Sequence, residues 1–157
     1  MINQRRIDDI DLRILSILQE KARVPNAEIA RQIAMAPSAV LERIRKLEER
    51  GIIDGYEVRL NPDVFQQGLL AFIHVSIQPA CSSFMTDALA AVTGVQDVHQ
   101  IAGDDGYLLK VRAADNAELG RILATEIGRI EGVHHTRTHI VLETIKETRK
   151  ITLTPID

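Results

Sequence analysis

A chain of 157 residues with 45% hydrophobic content has enough apolar mass for one domain or two small ones, and is too apolar to be disordered throughout. Aromatics make up only 3% and tryptophan is absent, so the core is expected to be aliphatic. No stretch approaches the roughly 20 apolar residues of a membrane helix, and Met1 to Arg6 is too polar for a secretory signal. The single cysteine, Cys81, cannot form an internal disulfide, and the reading is a cytoplasmic protein without membrane contact. The net charge of -3 splits unevenly: residues 1–60 hold 11 basic against 10 acidic side chains (+1), and residues 61–157 hold 8 against 12 (-4). That polarity favours an N-terminal rather than a C-terminal nucleic-acid binder, but only weakly.

Ile10, Ile14, Ile17 and Leu18 follow the i, i+4, i+7, i+8 stripe of a helix buried on one face. Asp8, Asp9 and Asp11 put negative charge in its first turn, where the helix dipole favours it. Val24-Pro25 breaks the pattern, and Asn26 is expected to cap a short second helix that buries Ile29, Ala30 and Ile33. After Ala34-Met35-Ala36, Pro37 opens a third helix whose buried stripe is Val40, Ile44 and Leu47, with Gly51 just beyond its end. Ile52 to Leu60 reads as two short strands around an Asp54-Gly55 turn. Three helices and a hairpin make a winged helix-turn-helix over residues 7–60, with the helix-turn-helix itself at about 26–46 and a linker at 61–67.

The period then changes. Strands are expected at Leu70 to Ile77, Val95 to Ala102, Tyr107 to Ala113 and Val133 to Leu142. Helices are expected from Phe84 to Val92 and from Asn116 to Ile130, the second burying Leu119, Ile122, Leu123, Ile127 and Ile130. The order β-α-β-β-α-β over residues 68–145 is the ferredoxin-like arrangement, leaving a tail at 146–157. The fold class is therefore α+β, a winged helix-turn-helix followed by a ferredoxin-like domain. Both helices lie on one face of such a sheet, so the other face must be polar or covered by a partner. A homodimer is expected, and a higher closed assembly such as an octamer is compatible with that topology.

These residues resemble the leucine- and asparagine-responsive regulators, the Lrp/AsnC or feast/famine family, from about Ile7 to Leu153. The strongest signature is Arg43-Ile44-Arg45-Lys46-Leu47-Glu48-Glu49-Arg50-Gly51-Ile52-Ile53-Asp54-Gly55-Tyr56. The opening Ile7 to Leu15, the Gly94-Val95 and Gly132-Val133 pairs, and Tyr107 to Val111 agree with it. The resemblance implies a regulator that binds double-stranded DNA, modulated by an amino acid or related small molecule, with no catalytic residues, cofactor or metal. Ser38 and Arg43 are then expected at base edges, Arg43 being the strongest candidate, while Arg45, Lys46 and Arg50 neutralise phosphates. A plainer reading of the same face is solvated helix with intrahelical pairs such as Glu42–Lys46.

The chain departs from the family pattern in two places. The turn before the third helix usually carries Gly and then Ser, where this chain has Ala34 and Ala36. A left-handed backbone at Ala34 costs about 1 kcal/mol, and the missing serine cap at Ala36 costs a similar ~1 kcal/mol. The loop lining the family's effector pocket usually reads Gly-x-aromatic-Asp-aromatic, and here it is Gly103-Asp104-Asp105-Gly106-Tyr107. Those five residues are the candidate effector site, with Asp105 a shifted partner for an α-amino group and a polar or basic amino acid favoured over leucine. The plainer reading is a hairpin turn.

His134, His135 and His139 do not make a metal site. On a strand, His135 and His139 share a face about 13 Å apart and His134 points away. Cys81 beside Ser82 and Ser83 could be a mildly activated thiol at a helix start. An enzymatic alternative, a sirohaem decarboxylase of the same architecture, would want cations for a polycarboxylate tetrapyrrole, yet the chain has His99-Gln100-Ile101-Ala102 and no Arg or Lys between 97 and 109.

Overall fold

The computed structural model describes residues 7–78, 82–103 and 106–154. The chain divides into two compact units: one runs through Arg59 and takes in the chain again from Glu147, and the other spans Leu60–Lys146.

The first unit holds three helices: α1 (Asp9–Glu20), α2 (Asn26–Ile33) and α3 (Pro37–Glu49). Asp8 caps α1, its Oδ1 accepting the Asp11 N–H at 2.8 Å. The cap of α2 is Pro25 and not Asn26, which is the first helical residue. Pro25 is held extended at ψ 139°, and its carbonyl accepts the N–H groups of Glu28 and Ile29, so no side-chain cap is made. Ala34 does take the left-handed conformation, φ 58° and ψ 48°, and Ala36 caps α3 without any side-chain bond. Both costs expected of that turn are therefore present.

No hairpin forms at Ile52–Leu60: the segment carries no strand. A two-residue hairpin turn over Asp54-Gly55 needs positive φ at both centres, and Gly55 is not among the positive-φ glycines. The Ile52 and Ile53 N–H groups bond instead to the Leu47 carbonyl, closing the end of α3 and packing both side chains onto the core. The Tyr56 hydroxyl donates to Glu48 at 2.8 Å. Burial and that carboxylate push the phenol up to about 12, so it stays a donor at any ordinary pH. The core is Ile14, Leu15, Ile29, Ala30, Ile33, Val40, Ile44 and Leu47, aliphatic throughout as the composition required.

Leu153 packs against this same core, so the tail is part of the first unit. Gln19 on α1 holds it as a neighbouring strand would. Its Nε2 donates to the Ile151 carbonyl at 3.2 Å and its Oε1 accepts the Ile151 N–H at 2.8 Å. Lys150 pairs with Glu20 at 2.6 Å, and Arg149 with Glu57.

The second unit begins with a short 3-10 turn at Pro62–Phe65 inside the expected linker. It then runs β1 (Leu69–Ile77), α4 (Ser82–Ala90), β2 (Val95–Gln100), β3 (Tyr107–Ala113), α5 (Asn116–Arg121) and β4 (Val133–Ile140). The sheet order is β2-β3-β1-β4, every neighbouring pair antiparallel, which is the ferredoxin-like topology. Alternate residues Ala71, Ile73 and Val75 of β1 and Leu109 and Val111 of β3 meet Met85, Leu89, Leu119, Ile122 and Ile127 in the core.

The second long helix is not α throughout. Past α5 it widens to a π turn at Ile122–Glu126 and tightens to 3-10 at Ile127–Arg129. Ile122 and Ile127 stand five residues apart and are both fully buried, a spacing that matches the five-residue repeat of the wider turn. Two glycines answer specific demands. A Cβ on Gly94 (φ 77°) would lie 2.1 Å from the Arg112 carbonyl oxygen, where the strand passes. One on Gly106 (φ 76°) would lie 3.2 Å from that of Val75.

Candidate functional site

In the first unit the candidate surface is the side of α3 turned away from Val40, Ile44 and Leu47. Ser38, Glu42, Arg45, Lys46 and Glu49 are all exposed there. Arg45 Nε donates to Glu49 at 2.9 Å, and Lys46 Nζ lies 3.4 Å from Glu42, both i,i+4 pairs. Exposed pairs of this kind contribute little to stability. They hold the cations along the helix without committing them.

Arg43 is placed differently. Its Nη1 donates to Asp8 Oδ2 and to Asp11 Oδ1, both at 2.8 Å, bracing α3 against the start of α1. Asp11 is the one buried charged residue among those described. Hydrogen bonds from the guanidinium to Asp8 and then Asp11 raise the Arg43 pKa further above its usual range. Partial desolvation works to raise the Asp8 carboxyl, but the Asp11 N–H and the guanidinium outweigh it and hold the group below its ordinary value. The sequence shows the two acids and the arginine but not their meeting, because the residues lie more than thirty apart in the chain and the acids are explained well enough by the helix dipole. Arg50 stands at the C-cap of α3. Leu41, which the stripe leaves unassigned, is 55% exposed beside this surface.

In the second unit, Asp104 and Asp105 lie outside the described residues, as does Cys81. Gly103 is exposed, and the Ile101 N–H bonds the Gly106 carbonyl at 2.9 Å to close the β2–β3 hairpin. Tyr107 points into the core, 2% exposed, its hydroxyl 3.3 Å from Thr86 Oγ1 on α4.

The sheet face away from the helices is chemically distinct. Register and alternation place Phe72, His74 and Ser76 of β1, Leu108, Lys110 and Arg112 of β3, Asp97 and His99 of β2, and His135, Arg137 and His139 of β4 upon it. The His74 and His139 rings meet edge to face with centroids 5.6 Å apart. Among the described residues no three His, Cys, Asp or Glu side chains gather as a metal ion would require.

Both units match family models. Residues 7–54 match a winged helix-turn-helix DNA-binding family, and residues 70–151 match the Lrp/AsnC ligand binding domain. The chain belongs to the Lrp/AsnC family. It is 34% identical over 152 residues, 95% of this chain and 92% of the relative, to the leucine-responsive regulatory protein of Haemophilus influenzae. A transcriptional regulator from Neisseria meningitidis, solved in complex with L-methionine, superposes with a TM-score of 0.88 at 29% identity, covering 92% of this chain and 96% of that one. A feast or famine regulatory protein from M. tuberculosis complexed with L-methionine gives 0.85 at 29% identity, covering 92% and 98%. Like its Lrp/AsnC relatives, the protein is a DNA-binding transcription regulator and not an enzyme, and nothing among those relatives favours the decarboxylase alternative. No described helix is long and apolar enough to cross a membrane.

Proposed function

We propose that this Lrp/AsnC regulator binds its operator as a cytoplasmic homodimer, α3 lying in the major groove, with affinity set by an amino acid held in the second unit. The observation that carries the reading is the outward surface of α3, built on a braced three-helix core. With Arg43 held by Asp8 and Asp11, base reading falls to Ser38 and Glu42, while Arg45, Lys46 and Arg50 take phosphates. Residues 7–60 with the tail form the DNA-binding part, and 68–145 the ligand and assembly part.

Dimerisation uses the open sheet face. Its acid, Asp97, lies on edge strand β2, while Arg137 and two histidines lie on the opposite edge strand β4. A two-fold axis along the strands sets β2 over the partner's β4, acid over base, with Phe72 and Leu108 at the centre. A higher ring built from such dimers fits the same topology.

The effector site is the loop Gly103 to Gly106, which Tyr107 anchors in the core. The L-methionine complexes of two relatives support an amino-acid ligand, and Asp104 or Asp105 supplies a carboxylate for its ammonium.

Salt-dependent binding to an operator and to random duplex tests the first claim. Lys46→Ala should weaken both and reduce the slope of log affinity against log salt by about one. An unchanged slope refutes the assigned surface. Calorimetry with a panel of amino acids tests the second, and heat that survives Asp104→Ala/Asp105→Ala unchanged refutes the assigned loop.

A further inference from the structure

Four of the five histidines of the chain stand on the open sheet face: His74 on β1, His99 on β2, and His135 and His139 on β4. The fixed charges facing them are Asp97 from β2, Lys110 and Arg112 from β3, and Arg137 from β4. Among the described residues that register places on the face, three fixed cations and one carboxylate therefore stand with the imidazoles. In register, Arg137 is the Cα partner of His74 and sits between His135 and His139 along β4. The His74 and His139 rings meet edge to face with centroids 5.6 Å apart. A proton on each places like charges at that distance, beside a guanidinium.

While the imidazoles are neutral, each face carries its three fixed cations and one carboxylate around Phe72 and Leu108. Two such faces can pack. Once the imidazoles are protonated, each copy brings up to four more positive charges into a contact that already has a cationic excess and little water to screen it. The face then repels its own image.

We propose that homodimerisation through this face is switched off by protonation of His74, His99, His135 and His139. The inference rests on the dimer reading above and adds its regulation. The paired state binds fewer protons than two separate chains, so acid favours separation and alkali favours pairing. Each imidazole that pairing keeps neutral makes the dimer weaker as the pH falls.

The test is sedimentation of the full chain, with a chelator present to exclude bridging metal. The dimer Kd should rise at least about a hundredfold between about pH 7.5 and about pH 5.5. The variant His99→Gln/His135→Gln/His139→Gln removes only exposed rings, and circular dichroism checks its fold. It should lose most of that dependence and remain dimeric at the lower pH. A wild-type Kd that does not move with pH, or that moves equally in the triple variant, overturns the inference and leaves the dimer standing. Phe72→Asp separates the two claims. It should give monomers at pH 7.5, and a Phe72→Asp dimer, or a wild-type chain monomeric at every pH, overturns the face-to-face reading and this inference with it.

Discussion

Arg43→Ala removes the cation that two carboxylates share. Asp8 is half exposed, so its contact is worth at most about 1 kcal/mol. The Asp11 side chain is only 11% exposed, and without the guanidinium it loses this partner in a poorly hydrated place. Losing a charge-assisted bond there costs about 1.5–3 kcal/mol. The sum, about 1.5–4 kcal/mol, is large for so small a core and corresponds to a fall in Tm of about 10 °C. Thermal unfolding followed by circular dichroism reads it directly. The control is Arg43→Met/Asp11→Asn, which removes charge from both sides and should recover at least about half of the loss, since a neutral pair leaves no stranded ion. Operator and random-duplex affinities of Arg43→Ala, measured well below its Tm, should fall together or not at all. An unchanged Tm combined with a selective loss of operator affinity would refute the brace and return Arg43 to the bases.

Three further outcomes follow from the same unit. Ala34→Gly relieves a left-handed alanine, and Ala36→Ser adds the absent cap; each should raise stability by about 1 kcal/mol in urea titration, and no gain in either would mean the turn is held by other contacts. Gln19→Ala deletes both bonds to Ile151 and should speed hydrogen exchange in α1 and the tail together, whereas exchange confined to the tail would show that the strap supports nothing. Because the Asp8 carboxyl is held below its unfolded value of 3.8, its contribution is complete above that pH and is lost as the pH falls toward its folded value. Asp8→Asn should therefore flatten the acid end of the stability curve, and an acid limb identical to wild type would sink the assignment.

What could be read from the sequence was whatever depends on near neighbours. The 3.6-residue stripes located α1 to α3, and alternation located the four strands of the sheet. The departure from Gly and Ser at Ala34 and Ala36 foretold a strained, uncapped turn, because backbone sign and cap chemistry are local. The hairpin at Asp54-Gly55 failed for a local reason too: the dipeptide permits a tight turn, but Ile52 and Ile53 gain more by closing α3 and entering the core. Distance in the chain hid the rest. The ion pairs of Arg43 escaped the sequence because its carboxylates arrive from another helix. Leu153 and Ile151 looked like a tail because their partners lie about 130 residues earlier. The π turn was hidden by its own side chains, since a five-residue spacing of isoleucines is indistinguishable from a helix stripe with one position unfilled.

The returning tail changes how the protein comes to exist. β1 opens beside the close of β4, Ala71 facing Ile140, so the ligand-binding unit is spliced between two pieces of the DNA-binding one by ends that lie side by side. Domains inserted in this way characteristically have adjacent termini. In chain order the three helices come first, and Leu153, which packs on their core, comes only after the whole second unit. A chain cut short within the sensor, by a nonsense codon or a protease, carries a weakened reading head.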